Sequence, residues 1–259
     1  MKRNWQKDLE KYEKFLKNID VEKYAELRPR KTVEQDLPPD LIPLAIFYRH
    51  YWDSNEFKDY EEVFEIYWNE KFNPHIRNFI KKYFYGCSLM FVEEGFKARL
   101  YRTWMSVLTQ FHFQYLWNTL FENKLISDWE LDQMGIDAKV TIADKNVGLQ
   151  VKKISYRREA SHRRFTKRQQ KHVDVVVEIP YLVVDTDELA RKLESERTWE
   201  STKKECKKLI TLFNENFVKY DNGFVIFKKE YLKQVYGTIE EKVRSSSKNE
   251  ITYDEILPL

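Results

Sequence analysis

Asp137 stands in the stretch Gly135-Ile136-Asp137-Ala138, and Gln150-Val151-Lys152 follows it across residues 138–149. An acid, an amide and an amine at this spacing suit hydrolysis of a phosphodiester, which needs a neutralised phosphate, an aligned water and a stabilised leaving oxygen. In this reading Asp137 and Gln150 are oxygen ligands of a magnesium ion, with the Val151 main-chain carbonyl within reach of the same ion. Gln150 occupies the place of the more usual second acid. Lys152 orients or activates the attacking water and steadies the phosphate. The pattern alone is weak, because the same residue types decorate any solvent-facing hairpin.

Positioning these groups requires two paired strands. Residues 136–142 alternate apolar and polar side chains, Asp144-Lys145-Asn146 is turn-like, and residues 147–154 resume a period of two, which predicts a β-hairpin. On the second strand Gln150 and Lys152 share a face, so both can sit beside Asp137. Upstream, residues 94–121 read as a nearly all-round apolar core helix crossed by one polar stripe: Arg99, Arg102, Ser106, Gln110, Gln114 and Asn118. That stripe is expected to face water or a ligand, with Gln110 and Gln114 as candidate DNA contacts. Downstream lies a basic run, Lys153, Arg157, Arg158, Arg163, Arg164, Lys167, Arg168 and Lys171, interleaved with Tyr156 and Phe165 and holding a single acid, Glu159. Such a run neutralises phosphates, and its arginines can bind guanine edges. Lys153, Tyr156, Arg157, Arg158, Arg163, Arg164, Lys167 and Arg168 are therefore candidate DNA-binding residues.

The remaining elements follow from periodicity. Residues 7–16 read as an amphipathic helix. A loop runs through Arg28-Pro29-Arg30 and Asp36-Leu37-Pro38-Pro39, and a helical block spans residues 60–83 with a break near Pro74. Strands are expected at 173–179 and 223–227, with a helix or helix pair over 187–218. The stretch from Arg244 onward resembles a disordered tail. A chain of 259 residues can bury one sizeable core. A single domain is therefore expected, helical over about 1–125, carrying the catalytic hairpin and DNA-binding part over about 126–237, and ending in a tail over about 238–259.

Composition excludes several classes. No apolar stretch approaches the roughly 20 residues needed to cross a bilayer, and the basic start of the chain lacks the apolar core of a secretory signal, so a cytoplasmic protein is expected. Cys87 and Cys206 have no metal-binding spacing and read as free thiols. His50, His75, His112, His162 and His172 form no tight ligand set, and the aromatic residues, at 15%, suit a core better than a base-stacking platform.

Several longer stretches carry a resemblance: residues 30–38, 98–103, 109–113, 135–138, 150–153, 156–157, 178–181 and 222–227. In that order, and over most of the chain, they are similar to the TaqI-type restriction endonucleases of the PD-(D/E)XK superfamily. The resemblance implies an α/β fold, a mixed sheet flanked by helices with a largely helical N-terminal portion. It implies a homodimer that cuts both strands of double-stranded DNA at the palindrome TCGA with magnesium, leaving 3′-hydroxyl and 5′-phosphate ends beside a companion methyltransferase. It also supports Asp137, Gln150 and Lys152 as the catalytic set and residues 153–171 as DNA-facing. Nucleases of this class often add a further acid, for which Glu94, Glu122 and Asp132 are the candidates. Two other readings stay open: a repair or junction nuclease without a fixed site, and a DNA-binding protein in which Asp137 and Lys152 form a solvated ion pair.

Overall fold

In a computed structural model the described residues are 3–34, 36–154, 166, 169–245 and 248–258. They form two compact units: Met1–His112 with Asp128–Glu130 and Asp221–Phe224, and Phe113–Ser127 with Leu131–Tyr220 and Val225–Leu259. The division falls inside one long helix.

The first unit is helical. Its elements are α1 (Trp5–Asn18), α2 (Leu44–Phe47), α3 (Tyr60–Lys71), α4 (Arg77–Tyr83) and the first part of α5 (Leu89–Leu120). Helix α1 turns Leu9, Tyr12 and Leu16 inward, and the Tyr12 hydroxyl donates to the Leu108 carbonyl at 2.8 Å. Trp104 of α5 is fully buried and donates its indole N–H to the Tyr51 hydroxyl at 2.7 Å, satisfying the polar end of a large apolar ring. An Asp59–Glu62 capping box starts α3. The break expected near Pro74 is a widened turn over Phe72–Ile76, where proline supplies no N–H to the helical ladder.

The second unit carries the sheet. A short helix α6 (Trp129–Gln133), whose first two residues count with the first unit, precedes β1 (Ala138–Ile142), β2 (Lys145–Ile154) and β3 (Val175–Leu182). Next come α7 (Thr186–Glu194), α8 (Glu200–Asn216), β4 (Phe217–Lys219), β5 (Val225–Phe227), α9 (Lys229–Ser245), β6 (Glu250–Ile251) and α10 (Tyr253–Ile256). The sheet order is β1-β2-β3-β6, with β1 antiparallel to β2 and the remaining pairs parallel, while β4 and β5 make a separate ribbon. The fold is thus α/β, with a mixed sheet flanked by helices and a helical N-terminal portion.

The expected hairpin is present, but its turn is tighter than the sequence suggested. Ile142 pairs with Lys145, and the turn residues Ala143 and Asp144 both have positive φ, 47° and 61°. A two-residue turn of this hand matches strand twist, so Lys145 and Asn146 belong to the strand. The expected disordered tail is also corrected. Helix α9 runs to Ser245, β6 extends the sheet beside Val176 and Val177, and Ile251, Tyr253 and Leu257 are buried. Residues 244–249 contain few apolar groups; the anchoring residues come just after them.

Strand β3 is buried along its whole length, as a parallel strand covered on both faces must be. On one face Val176 packs with Leu131, Ile136 and Val173. On the other, the Tyr181 ring meets Phe217 and Phe227, with centroids 5.8 and 5.3 Å away. Leu149 is fully buried in β2, whereas Thr141 is exposed on β1. Leu149→Ala is expected to cost about 2–5 kcal/mol, and Thr141→Ala to stay within about 0.5 kcal/mol, both measured by urea unfolding.

Candidate active site

The chain just before β1 is held on all sides. Gly135 adopts φ +79°, which suits a residue without a side chain, and a Cβ added there would lie 3.1 Å from Gln150 Nε2. The Gly135 carbonyl accepts from Gln169 Nε2 at 3.2 Å. Two residues on, the Asp137 carbonyl accepts from Gln114 Nε2 at 2.8 Å and from Ser127 Oγ at 2.7 Å. The Asp137 N–H donates to the Leu149 carbonyl at 2.9 Å, and Asp137 Oδ2 accepts the Val151 N–H at 2.7 Å. These two bonds bracket Gln150 and place the Asp137 carboxylate against it.

Strand parity brings the rest. Gln150 is registered with Glu178 of β3, so both side chains point to the face that also carries Lys152. Lys152 Nζ lies 3.6 Å from Glu178 Oε1. Gln150 is 8% exposed and Glu178 is 1% exposed, while Lys152 is half-buried. Burial pushes the Asp137 carboxyl well above the usual carboxylate range, and the negative charge of Asp132 adds to that push. The Val151 N–H and the Lys152 ammonium pull the other way.

Among the described residues no three His, Cys, Asp or Glu side chains gather as a metal cluster. The donor set still fits a hard cation of the magnesium kind, which binds through one or two carboxylates and keeps several waters. The crowding of negative charge at Asp137 and Asp132 is what such an ion would relieve.

The profile described as TaqI restriction endonuclease matches residues 9–239. The chain belongs to the TaqI restriction endonuclease family. The type II restriction enzyme TthHB8I of Thermus thermophilus is 42% identical over 247 residues, covering 93% of this chain and 92% of that enzyme. The type II restriction enzyme TaqI of Thermus aquaticus is 42% identical over 236 residues, covering 89% and 87%. No solved structure matches the chain. As a member of the TaqI family the protein is a site-specific deoxyribonuclease, a hydrolase that binds DNA.

Within this family member, three of the residues singled out in the sequence, Asp137, Gln150 and Lys152, converge. Lys153 is exposed on the opposite face of β2. Tyr156, Arg157, Arg158, Arg163, Arg164, Lys167 and Arg168 lie outside the described residues. The polar stripe of α5 is only in part the water- or ligand-facing row expected: Ser106 is exposed and Arg99 and Arg102 are half-buried, whereas Gln110, Gln114 and Asn118 are buried. Arg99 donates to the Val33 carbonyl at 3.1 Å, and Arg102 pairs with Glu34. Gln110 is 6% exposed and donates to the Tyr48 hydroxyl at 2.9 Å. Gln114 and Asn118 are buried too, Gln114 on the Asp137 carbonyl and Asn118 Oδ1 accepting the Leu125 N–H at 2.7 Å. The three amides of the stripe lie among apolar rings, where each needs a polar partner, so this part of the row faces inward.

Of the candidate further acids, Glu94 pairs with Arg30 at 2.9 Å and Glu122 is exposed, whereas Asp132 is felt electrostatically by Asp137. Glu178, Ser127 and Gln169 were missed. Only Glu178 left a signal, as the one charged side chain inside the apolar run 175–182.

The raised pKa of Asp137 fixes a sign. In the metal-free protein the folded state holds this proton at pH values where the unfolded chain has released it. Stability therefore falls as pH rises from the ordinary Asp range through the raised value. Asp137→Asn removes that loss, so its melting temperature is expected to exceed the wild type at pH 8 while its cleavage is abolished. Equal melting temperatures across pH 4 to 8 would show that the carboxylate is not strained by burial.

Proposed function

We propose that the protein is a type II restriction endonuclease making magnesium-dependent double-strand cuts at a short palindrome, TCGA, and leaving 5′-phosphate and 3′-hydroxyl ends. The observation that carries this reading is the bond from the Asp137 carboxylate to the Val151 N–H, between Gln150 and Lys152 on β2, in a chain 42% identical to two type II restriction enzymes over most of its length. A palindromic site is met most simply by a two-fold dimer, so the active form is a homodimer. A companion methyltransferase would protect the same site in the host cytoplasm.

Asp137, with the Gln150 amide oxygen and the Val151 carbonyl, would hold the ion. Bound magnesium supplies Lewis acidity at the scissile phosphate. Asp137 presents its carboxylate rigidly, because its backbone is pinned by Gln114, Ser127 and Leu149. Lys152 contributes a positive charge beside the phosphate and three donors that orient water. Lys153 and the basic residues from Arg157 to Lys171 contribute phosphate neutralisation, with Arg157, Arg158, Arg163 and Arg164 as the base-reading candidates.

Digestion of a fully sequenced plasmid with and without magnesium, followed by sequencing of the fragment ends, tests the reading. Discrete magnesium-dependent ends at TCGA are expected. Ends at random positions would point to a repair or processing nuclease, and intact plasmid under all conditions to a DNA-binding protein. Asp137→Ala and Lys152→Ala are expected to abolish cutting while leaving binding in a gel-shift assay. Full activity in either would remove that residue from the catalytic set.

A further inference from the structure

Behind Lys152 lies a carboxylate that the cleavage chemistry described above does not use. Glu178 is 1% exposed, yet Oε1 sits 3.6 Å from Lys152 Nζ and Oε2 accepts the main-chain N–H of Tyr253 at 3.4 Å. Tyr253 opens α10, whose start is fixed by a capping box between Thr252 and Glu255. The same segment is tied to the sheet by β6, paired with Val176 and Val177 immediately before Glu178. Lys242 and Lys248 reach Glu255 at 3.5 and 3.1 Å and hold the segment further. The segment itself, with Lys242 and Lys248, lies beyond residue 239, where the matched family stretch ends.

We propose that Glu178 is a positioning residue that holds the Lys152 ammonium on the catalytic face, and that the C-terminal segment Glu250–Ile256 belongs to the site because it fixes Glu178. This rests on the role given to Lys152 above. A lysine side chain has four flexible carbons and a strongly hydrated head, so it keeps one position only where a fixed charge attracts it. At 3.6 Å the contact is an ion pair longer than a hydrogen bond, so attraction holds the ammonium while its donors stay available to phosphate and water. A carboxylate this deeply buried needs such a partner in turn.

The test uses the full chain and a duplex carrying the cut site found by plasmid digestion, with kcat, KM, metal-free DNA affinity and melting temperature as readouts. Glu178→Gln keeps the shape and an acceptor for Tyr253 N–H but loses the charge. It is expected to lower kcat by about 10²-fold with KM, affinity and melting temperature near wild type. Tyr253→Pro removes the N–H at a first helical position where proline is tolerated. It is expected to cut more slowly than Tyr253→Ala, which loses the same ring but keeps the N–H. A wild-type kcat in Glu178→Gln would overturn the role of Glu178, and Tyr253→Pro cutting as fast as Tyr253→Ala would overturn that of the C-terminal segment. Should Glu178→Gln melt early, Glu178→Asp replaces it, with lowered kcat at unchanged KM in support and wild-type kcat against. If Lys152→Ala itself cuts at the wild-type rate, the fault lies in the role of Lys152 instead.

Discussion

The proposed site depends on the hydrogen bond from the Val151 N–H to Asp137 Oδ2, which ties the acid to the second strand of the hairpin. A side-chain oxygen takes a strand N–H just where β1 begins, so the acid is locked to the second strand and not left to sample rotamers. Gln150 is bracketed between that bond and the one from the Asp137 N–H to Leu149. Lys152 follows on the same face by the period of two. Removing the 2.7 Å contact would leave a buried N–H without its acceptor and an acid free to turn away.

Around this bond the second unit is arranged to keep the Asp137 backbone still. Gln114 and Ser127 both donate to its carbonyl, and Gln169 holds Gly135 from the other side. Catalysis by a bound cation depends on placing ligands to within a fraction of an ångström, and several short polar contacts from different elements achieve this better than one. The cost is electrostatic. A carboxylate surrounded by apolar strands and facing Asp132 is unhappy as an anion until a cation joins it. In the proposed site a bound cation would relieve this penalty, a pattern common to sites whose function opposes their stability.

Much of this was legible in the sequence. Strand alternation around Asp144 gave the hairpin, and the face shared by Gln150 and Lys152 followed from it without further knowledge. The proline break in the helical block and the helical character of 187–218 were equally plain, because period and Pro are local signals, although whether one helix or two spans 187–218 stayed open. Long-range choices were not legible. Whether Gln114 meets water or the Asp137 carbonyl depends on which element packs over it, and an amide row reads the same in both cases. Glu178 lies far from Lys152 in sequence and meets it only through the parallel pairing of β2 and β3. The C-terminal segment was misjudged because the anchoring residues Ile251, Tyr253 and Leu257 are sparse in a polar stretch.

The most direct measurement is a magnesium titration of the wild-type chain and of Asp137→Asn without DNA, followed by thermal unfolding. An ion bound only by the folded site raises the melting temperature with concentration, by about 2.7 kcal/mol of stability at a hundredfold excess over its dissociation constant. The expected result is a saturable rise in the wild type that is absent in Asp137→Asn, with calcium giving a similar rise and sodium none. The same magnesium-dependent rise in both proteins would contradict the assignment of Asp137 as the anchor of the cleaving centre.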